Sequence, residues 1–186
     1  MKSRSVGILP KQIAVMGMLT ALSSALSFLE WLLPPVPGLP PGVKLGLANV
    51  VVMFTAFTLG RKHAYTLSLL KSLFVLFGRG PVAFTLSLTG SLLSVSVMLL
   101  AARFWKKDPD LRMISVFGAV CHNIGQLAAA VLVLGTGSFL WYYLPVMLLS
   151  GVGMGLVTGL LFQILAPALN RLPFSQSIIR AEKYQE

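Results

Sequence analysis

Six apolar stretches divide this chain of 186 residues. Of its residues, 56% are hydrophobic and only 11% are charged, which lies outside the composition of water-soluble domains. A segment that crosses roughly 30 Å of hydrocarbon must satisfy its backbone hydrogen bonds internally. No regular strand-length alternation of apolar and polar residues indicates a β-barrel, so we expect helices. The predicted spans are Ile13–Leu33, Lys44–Leu59, Ala64–Phe77, Val82–Ala102, Met113–Leu134 and Leu140–Leu169.

The predicted fold is therefore an all-α integral membrane protein with six transmembrane helices in one domain. That domain occupies 13–170, between an N-terminal arm at 1–12 and a C-terminal tail at 171–186. Positive connections are retained on the cytoplasmic side, and nearly all basic residues outside the spans fall in alternate connections, with Lys44 and Arg79 alone on the opposite side, which predicts cytoplasmic termini. The basic residues of the alternate connections are Lys2, Arg4, Lys11, Arg61, Lys62, Arg103, Lys106, Lys107, Arg112, Arg171, Arg180 and Lys183.

The net charge of +10 is accounted for by this topology and by anionic lipid headgroups, so we expect the lipid bilayer and no nucleic acid as a partner. Cys121 is the only cysteine, which excludes an internal disulfide and a multi-cysteine metal site. No nucleotide-binding loop of the Walker type is present. We expect no cofactor and no bound metal, and any ATP-driven step must be supplied by another chain.

Polar residues gather toward the outer half of the predicted bundle, from spans one, two, three and five. An ionisable group at membrane depth is costly unless it is paired or hydrated, and a cluster of such groups indicates a cavity. Because the basic residues outnumber the single acid, the cluster favours a small organic solute that carries a carboxylate or phosphate on an apolar body. The candidate binding residues are Glu30, Lys44, Asn49, Lys71, Arg79, His122, Asn123 and Gln126.

Each candidate also has a structural interpretation. Glu30 is equally suited to a salt bridge with Lys44. The Lys71 side chain is also suited to extending toward a membrane–water interface instead of pointing into the bundle. Asn123 and Gln126 suit hydrogen bonds between helices. His122 has no second histidine within a turn, which favours a hydrogen-bonded histidine over a metal ligand.

The connection at 34–42 contains five prolines and two glycines, which hold the backbone extended and allow it to bend. It suits either a lid over the outer mouth or a stiff connector. Aromatic residues at the same level suit the aromatic belt at a membrane interface better than stacking on a ligand; they are Trp31, Trp141, Tyr142 and Tyr143.

Small residues recur every fourth position in two of the spans. Gly17, Ala21 and Ala25 form one such stripe in the first span, and a glycine ladder at 151, 155 and 159 forms another in the sixth. Small side chains let helix backbones approach closely in lipid. These two stripes predict two tight helix contacts, either inside the bundle or, for one of them, with a partner chain.

Several segments together resemble a known bacterial family. They are Leu29-Glu30 before the proline-rich connection, Lys44-Leu45-Gly46-Leu47-Ala48-Asn49, the Ser/Thr/Gly-rich stretch 84–98, and His122-Asn123-Ile124-Gly125-Gln126. This pattern resembles the Gx transporter family, also labelled heptaprenyl diphosphate synthase component I, over residues 14–165. That family is similar to the substrate-binding S components of energy-coupling factor (ECF) transporters.

The resemblance implies a six-helix bundle in a bacterial cell membrane, with a solute site that opens outward. It also implies that Gly17, Ala21 and Ala25 dock on a transmembrane T component, which works with two ATPase subunits. The alternative is a membrane accessory subunit of prenyl diphosphate or quinone synthesis. Catalysis of prenyl transfer needs aspartate-rich motifs that hold Mg²⁺ against the diphosphate, and this chain offers only Asp108 and Asp110. We therefore expect a transport protein and not an enzyme.

Overall fold

All regular structure in the described part of the chain is helical. The computed structural model describes residues 10–32, 46–105, 110–135 and 137–170. Its helices are α1 (Pro10–Leu32), α2 (Leu47–Phe54, continued by a π-helical turn at Thr55–Leu59), α3 (Arg61–Phe104), α4 (Leu111–Leu134) and α5 (Ser138–Asn170). Four of them are long and apolar enough to cross a membrane, and α2 with its π-helical turn is a shorter apolar helix. The prediction of an all-helical, multi-pass membrane protein is confirmed.

The 44-residue helix α3 is broken at Gly80, where φ is 85° and ψ is 177°. Only glycine adopts this backbone conformation without strain. Pro81 follows, and proline is well tolerated in the first turn of a new helix because its missing N–H has no partner there. The predicted spans leave residues 78–81 in a connection; the helical backbone instead runs through Gly78 and Arg79, and the break is confined to Gly80.

The two halves of α3, 61–79 and 81–104, lie side by side as an antiparallel hairpin. The Ser72 and Ser87 hydroxyls are 3.2 Å apart, and the Tyr65 hydroxyl lies 2.8 Å from that of Ser96. In one straight helix these pairs would be about 22 Å and 46 Å apart, at 1.5 Å per residue. Both pairs are centred on Gly80, so the chain reverses direction at this residue.

Helix α2 is the most buried helix of the described bundle. Every residue from 50 to 56 is buried, which explains why this helix is apolar on all sides. The predicted first residue of this span, Lys44, lies outside the described residues, and the described helix begins at Leu47 after Gly46. Gly46 is in the left-handed conformation with φ 77°, and a Cβ at this position would lie 3.4 Å from the Thr158 hydroxyl of α5.

Helices α4 and α5 pack closely along the glycine ladder of α5. A Cβ added at Gly155 would lie 2.5 Å from the Cα of Val116, and one at Gly159 would lie 2.8 Å from the Cα of Arg112. The ladder thus forms a tight helix contact inside the bundle. At the start of α4, the Asp110 side chain accepts a hydrogen bond of 2.9 Å from the Arg112 amide, so α4 begins at this aspartate.

The opposite ends of the bundle differ in charge. Four exposed cations lie at one end, which we call the basic end: Arg61, Lys62, Arg103 and Arg112. Helix α5 finishes at this end, where its Gln163 side chain accepts a hydrogen bond of 2.9 Å from Arg112 Nε. The other end, which we call the cavity end, contains the Gly80 turn, the end of α1 and the beginning of α2.

Candidate ligand-binding cavity

A cavity of about 110 Å³ lies inside the bundle toward the cavity end. All five described α-helices contribute to its wall, and α3 contributes residues from both halves of its hairpin. The lining residues are Ser27, Glu30, Gly46, Ala48, Asn49, Lys71, Val75, Arg79, Ala83, Leu86, Ser87, Ala119, His122, Asn123, Gln126, Gly151, Met154 and Thr158. The predicted frame of spans one, two, three and five is incomplete, because the second half of α3 and α5 also line the cavity.

Seven of the eight predicted binding residues line this one cavity. They come from four separate stretches of sequence and are Glu30, Asn49, Lys71, Arg79, His122, Asn123 and Gln126. The eighth, Lys44, lies outside the described residues. Among the described lining residues two side chains are cationic, those of Lys71 and Arg79, and one is a carboxylate.

Lys71 points into the bundle. Its side chain is only 4% exposed, and its Nζ donates a hydrogen bond of 3.4 Å to Asn49 Oδ1 on α2. The alternative in which Lys71 extends toward an interface is therefore wrong. A buried ammonium group in a membrane bundle is stabilised by hydrogen-bond acceptors and by anions, and this one lies in the wall of a cavity.

Glu30 binds the beginning of α2. Its Oε1 accepts a hydrogen bond from the backbone N–H of Leu47, in the first turn of that helix, and its side chain is 9% exposed. The first amides of a helix lack intrahelical acceptors and carry partial positive charge, so a carboxylate is favourable there. The sequence suggests Lys44 or a ligand as the partner of Glu30 and gives no sign of this amide.

Asn123 connects α4 to α5. Its Nδ2 donates a hydrogen bond of 2.8 Å to the backbone oxygen of Met147. This contact is the interhelical hydrogen bond expected as an alternative to ligand binding. Because Asn123 also lines the cavity, the hydrogen bond fixes one wall of that cavity.

His122 and Gln126 are held next to the second half of α3 by a contact between two glycines. A Cβ at Gly90 would lie 2.8 Å from Gln126 Cγ and 3.0 Å from His122 Cε1, while a Cβ at Gly125 would lie 3.0 Å from the Cα of Gly90. Gly90 is not among the residues singled out from the sequence. The sequence signal for a close helix contact at Gly90 is a glycine in a predicted transmembrane helix, within a stretch rich in Ser and Thr.

Small and uncharged residues make up most of the cavity wall that the sequence did not predict. Ser27, Ser87 and Thr158 contribute hydroxyl groups, and Gly46 and Gly151 bring backbone to the surface. These residue types are frequent in all membrane helices, so a single sequence does not distinguish the lining positions from the rest.

The small-residue stripe of α1 lies on the outside of the described bundle. Ala21 and Ala25 are exposed, and a Cβ at Gly17 would meet nothing within 4 Å. An open groove runs beside the stripe, bordered on its other side by Leu70, Phe74 and other residues of α3. Packing inside the described bundle, the alternative for this stripe, is therefore wrong, and the face remains open.

No three His, Cys, Asp or Glu side chains gather as a possible metal site among the residues that the structure describes. The cavity is lined by hydrogen-bonding and cationic side chains from several helices. Fold and site together define a multi-pass membrane protein with an internal polar cavity.

Comparison with known proteins identifies the family. The profile described as heptaprenyl diphosphate synthase component I matches residues 19–165, which is most of the chain, and the protein belongs to this family. A solved structure described as the S component of a bacterial ECF transporter has a similar fold, with a TM-score of 0.64 and 22% sequence identity. The similarity covers 87% of this chain and 98% of the other. No curated protein sequence matches the chain.

Proposed function

We propose that this protein is the substrate-binding S component of an ECF-type uptake transporter in the bacterial cell membrane. The observation that supports this proposal most is the cavity, in which the buried Lys71 and six other predicted binding residues surround one space. The shared fold with an S component is independent support. The mechanism is capture without chemistry, in which the bundle binds a solute on one side and a partner drives its release on the other.

The charge distribution supports an orientation with six crossings and cytoplasmic termini. The basic end carries four exposed cations, and positive connections favour the cytoplasm. The α3 hairpin returns to the basic end after the Gly80 turn, so its halves serve as the third and fourth crossings. The cavity end then faces outward, where solute enters.

The solute of this proposal is a small organic anion, such as a vitamin, a flavin or a quinone precursor. Lys71 and Arg79 supply two positive charges to the cavity. Among the described lining residues the only carboxylate is that of Glu30, so two cationic side chains stand against one acid. This excess of positive charge favours a carboxylate or a phosphate, which accept charge-assisted hydrogen bonds from lysine and arginine.

The proposed partner is a transmembrane T component that works with two ATPase subunits. The open stripe at Gly17, Ala21 and Ala25 provides a face on which a partner helix can approach α1 closely. Because none of these three residues lines the cavity, docking on the stripe leaves the cavity itself uncovered.

The test replaces Ala21 or Ala25 with leucine and reconstitutes each variant with the T component and ATPases of the same organism. The added methylenes should push the partner helix away, so uptake and co-purification of the partner should be lost. Solute that co-purifies with the isolated wild-type chain, detected by native mass spectrometry, should remain bound to both variants. Ala128→Leu, at an exposed alanine of α4, is the matched control and should transport normally.

A second candidate function is an accessory subunit of prenyl diphosphate synthesis, which the family description favours. Its test is co-purification of the wild-type chain with a soluble prenyl synthase and product formation by the pair. If that complex forms, and the Ala21→Leu and Ala25→Leu variants transport as well as wild type, the accessory role replaces the transport proposal.

A further inference from the structure

A small side pocket adjoins the cavity between α1 and the first half of α3. Ser27, Val75 and Arg79 line both spaces, so the two are adjacent and share a wall. The other walls of the side pocket are made by Phe28, Trp31, Phe74 and Gly78. The polar cavity therefore lies next to a space with mainly apolar walls.

The side pocket continues toward the lipid-facing surface of the bundle. Phe28 and Phe74 also border the open groove beside α1, and both side chains are about half exposed, at 48% and 47%. The Phe28 and Trp31 rings pack against each other with centroids 5.5 Å apart. The side pocket therefore lies between the cavity and the open groove beside α1.

The size of the cavity bears on the ligand that it holds. Its volume of about 110 Å³ is below the roughly 300 Å³ at which pockets for whole organic ligands begin. A phosphate or carboxylate group fits this space beside Lys71. The remainder of a larger ligand needs a path out of the cavity, and the side pocket, of about 30 Å³, lies between the cavity and the open groove beside α1.

We propose that the ligand is an amphiphile whose anionic head occupies the cavity and whose apolar chain passes through the side pocket toward lipid. This inference rests on the proposed function, since it specifies the solute of the same site. The two spaces match the two parts of such a molecule: Lys71 and Arg79 face the head, and the Phe28, Trp31 and Phe74 rings contact the chain.

The test measures binding of ethyl, butyl and octyl phosphate to the protein in nanodiscs of zwitterionic lipid. In wild type the dissociation constant should fall about fourfold per methylene over the first few carbons, the gain expected for burying each CH₂. Gly78→Leu should remove most of this gain, so that its affinities for the three phosphates differ much less than those of wild type. A Cβ at Gly78 meets nothing within 4 Å, so leucine can enter the side pocket without a clash.

Gly153→Leu is the matched control, because a Cβ at this exposed glycine of α5 also meets nothing within 4 Å. It should behave as wild type. Partitioning of the chain into the disc is the same for all three proteins, so an equal dependence on chain length in wild type and Gly78→Leu overturns the inference. If not even ethyl phosphate binds to wild type, the anionic site of the proposed function fails, and the inference fails with it.

A second measurement does not depend on the glycine variant. In a chain with Trp105→Phe and Trp141→Phe, a bromine on the octyl chain should quench Trp31 fluorescence saturably, and unlabelled octyl phosphate should reverse it. Quenching that rises linearly without saturation indicates partitioning alone and overturns the inference. Phosphatidic acid added to the discs distinguishes two sources of the ligand. If it competes with octyl phosphate, the site is assigned to a membrane lipid; if it does not compete, the site is assigned to a free amphiphile.

Discussion

Lys71 combines deep burial with a position in the cavity wall. Its hydrogen bond to Asn49 Oδ1 is long, at 3.4 Å. A long hydrogen bond leaves room for the ammonium group to turn toward an anion. Without solute, Asn49 serves as a neutral acceptor from α2, and a bound carboxylate or phosphate would take a stronger, charge-assisted hydrogen bond from the same group.

Replacing Lys71 with methionine should weaken the binding of ethyl phosphate by about tenfold to a hundredfold, the loss that follows removal of a charged hydrogen-bond donor. Methionine has a similar length and needs no acceptor, so the bundle should stay folded and be no less stable without ligand. Calorimetric titration gives the affinity, and thermal unfolding in detergent gives the stability.

Lys62→Met is the matched control, since Lys62 is exposed at the basic end and should not affect binding. A loss of thermal stability in Lys71→Met that is equal with and without phosphate, together with unchanged affinity, would assign Lys71 a structural role only.

At the residue scale the sequence predicts the charged members of the site better than their partners. Lys71 and Asn49 stand out because ionisable and amide groups are costly in an apolar helix, so their convergence is expected. The hydrogen bond from the Leu47 amide to Glu30 could not be foreseen, because every residue except proline carries a backbone amide. The hydroxyl and glycine positions of the wall, such as Thr158, gave no separate signal because such residues are common throughout the spans.

The α4–α5 pair is the element on which the α5 side of the cavity depends. Gly151 lies where Asn123 of α4 approaches, and a Cβ there would be 3.1 Å from its Nδ2. Gly155 lies one turn further along the same face, against Val116. The absence of side chains at these glycines sets the distance between the two helices, and with it the position of the Asn123 side chain in the wall.

Gly155→Ala should destabilise the bundle by about 1–3 kcal/mol, because its new methyl group would lie 2.5 Å from the Val116 Cα and backbone cannot move aside cheaply. Gly153→Ala, two residues away and facing open space, should be neutral or slightly stabilising, since alanine favours a helix over glycine. Chemical or thermal unfolding of both variants in the same detergent measures the difference. Equal stability of the two variants would show that α4 and α5 can move apart at Gly155 without a cost in stability.

At the element scale the sequence predicted most of the helices, and their ends less well. The break between the third and fourth predicted spans was placed correctly near Gly80, because Gly-Pro is a strong interruption of a helix. Its extent was overestimated, since Arg79 is charged and was expected outside a helix. The order in which helices pack around α2 was not predicted, because apolar residues on all sides of a helix do not indicate which neighbour covers which face.

The molecule as a whole is a bundle with one basic end and one cavity end. Its helices alternate in direction, which brings the two ends of α3 and the beginning of α4 together at the basic end. If α3 instead crossed the membrane as one long helix, Lys62 and Arg103 would lie on opposite sides.

Single cysteines at these positions, in a Cys121→Ser background, test the arrangement. Cysteines at Lys62 and Arg103 should react with an impermeant thiol reagent only from the cytoplasmic side, and a cysteine at Gly137 only from outside. A Cβ at Gly137 meets nothing within 4 Å, so the label has space. Accessibility in intact cells and in inverted vesicles gives the measurement. Labelling of Lys62 and Arg103 from opposite sides would contradict six crossings.

The central position of α2 has a consequence for biogenesis. Leu47–Leu59 spans about 20 Å as a helix, which is shorter than the hydrocarbon layer. Its first turn depends on the Glu30 carboxylate, and its apolar sides are covered by helices that are synthesised before and after it. A segment this short gains little from lipid alone and most from its neighbours. We therefore expect α2 to reach its final depth only after α3 and α5 have been synthesised, so that assembly of the bundle does not follow the order of the chain.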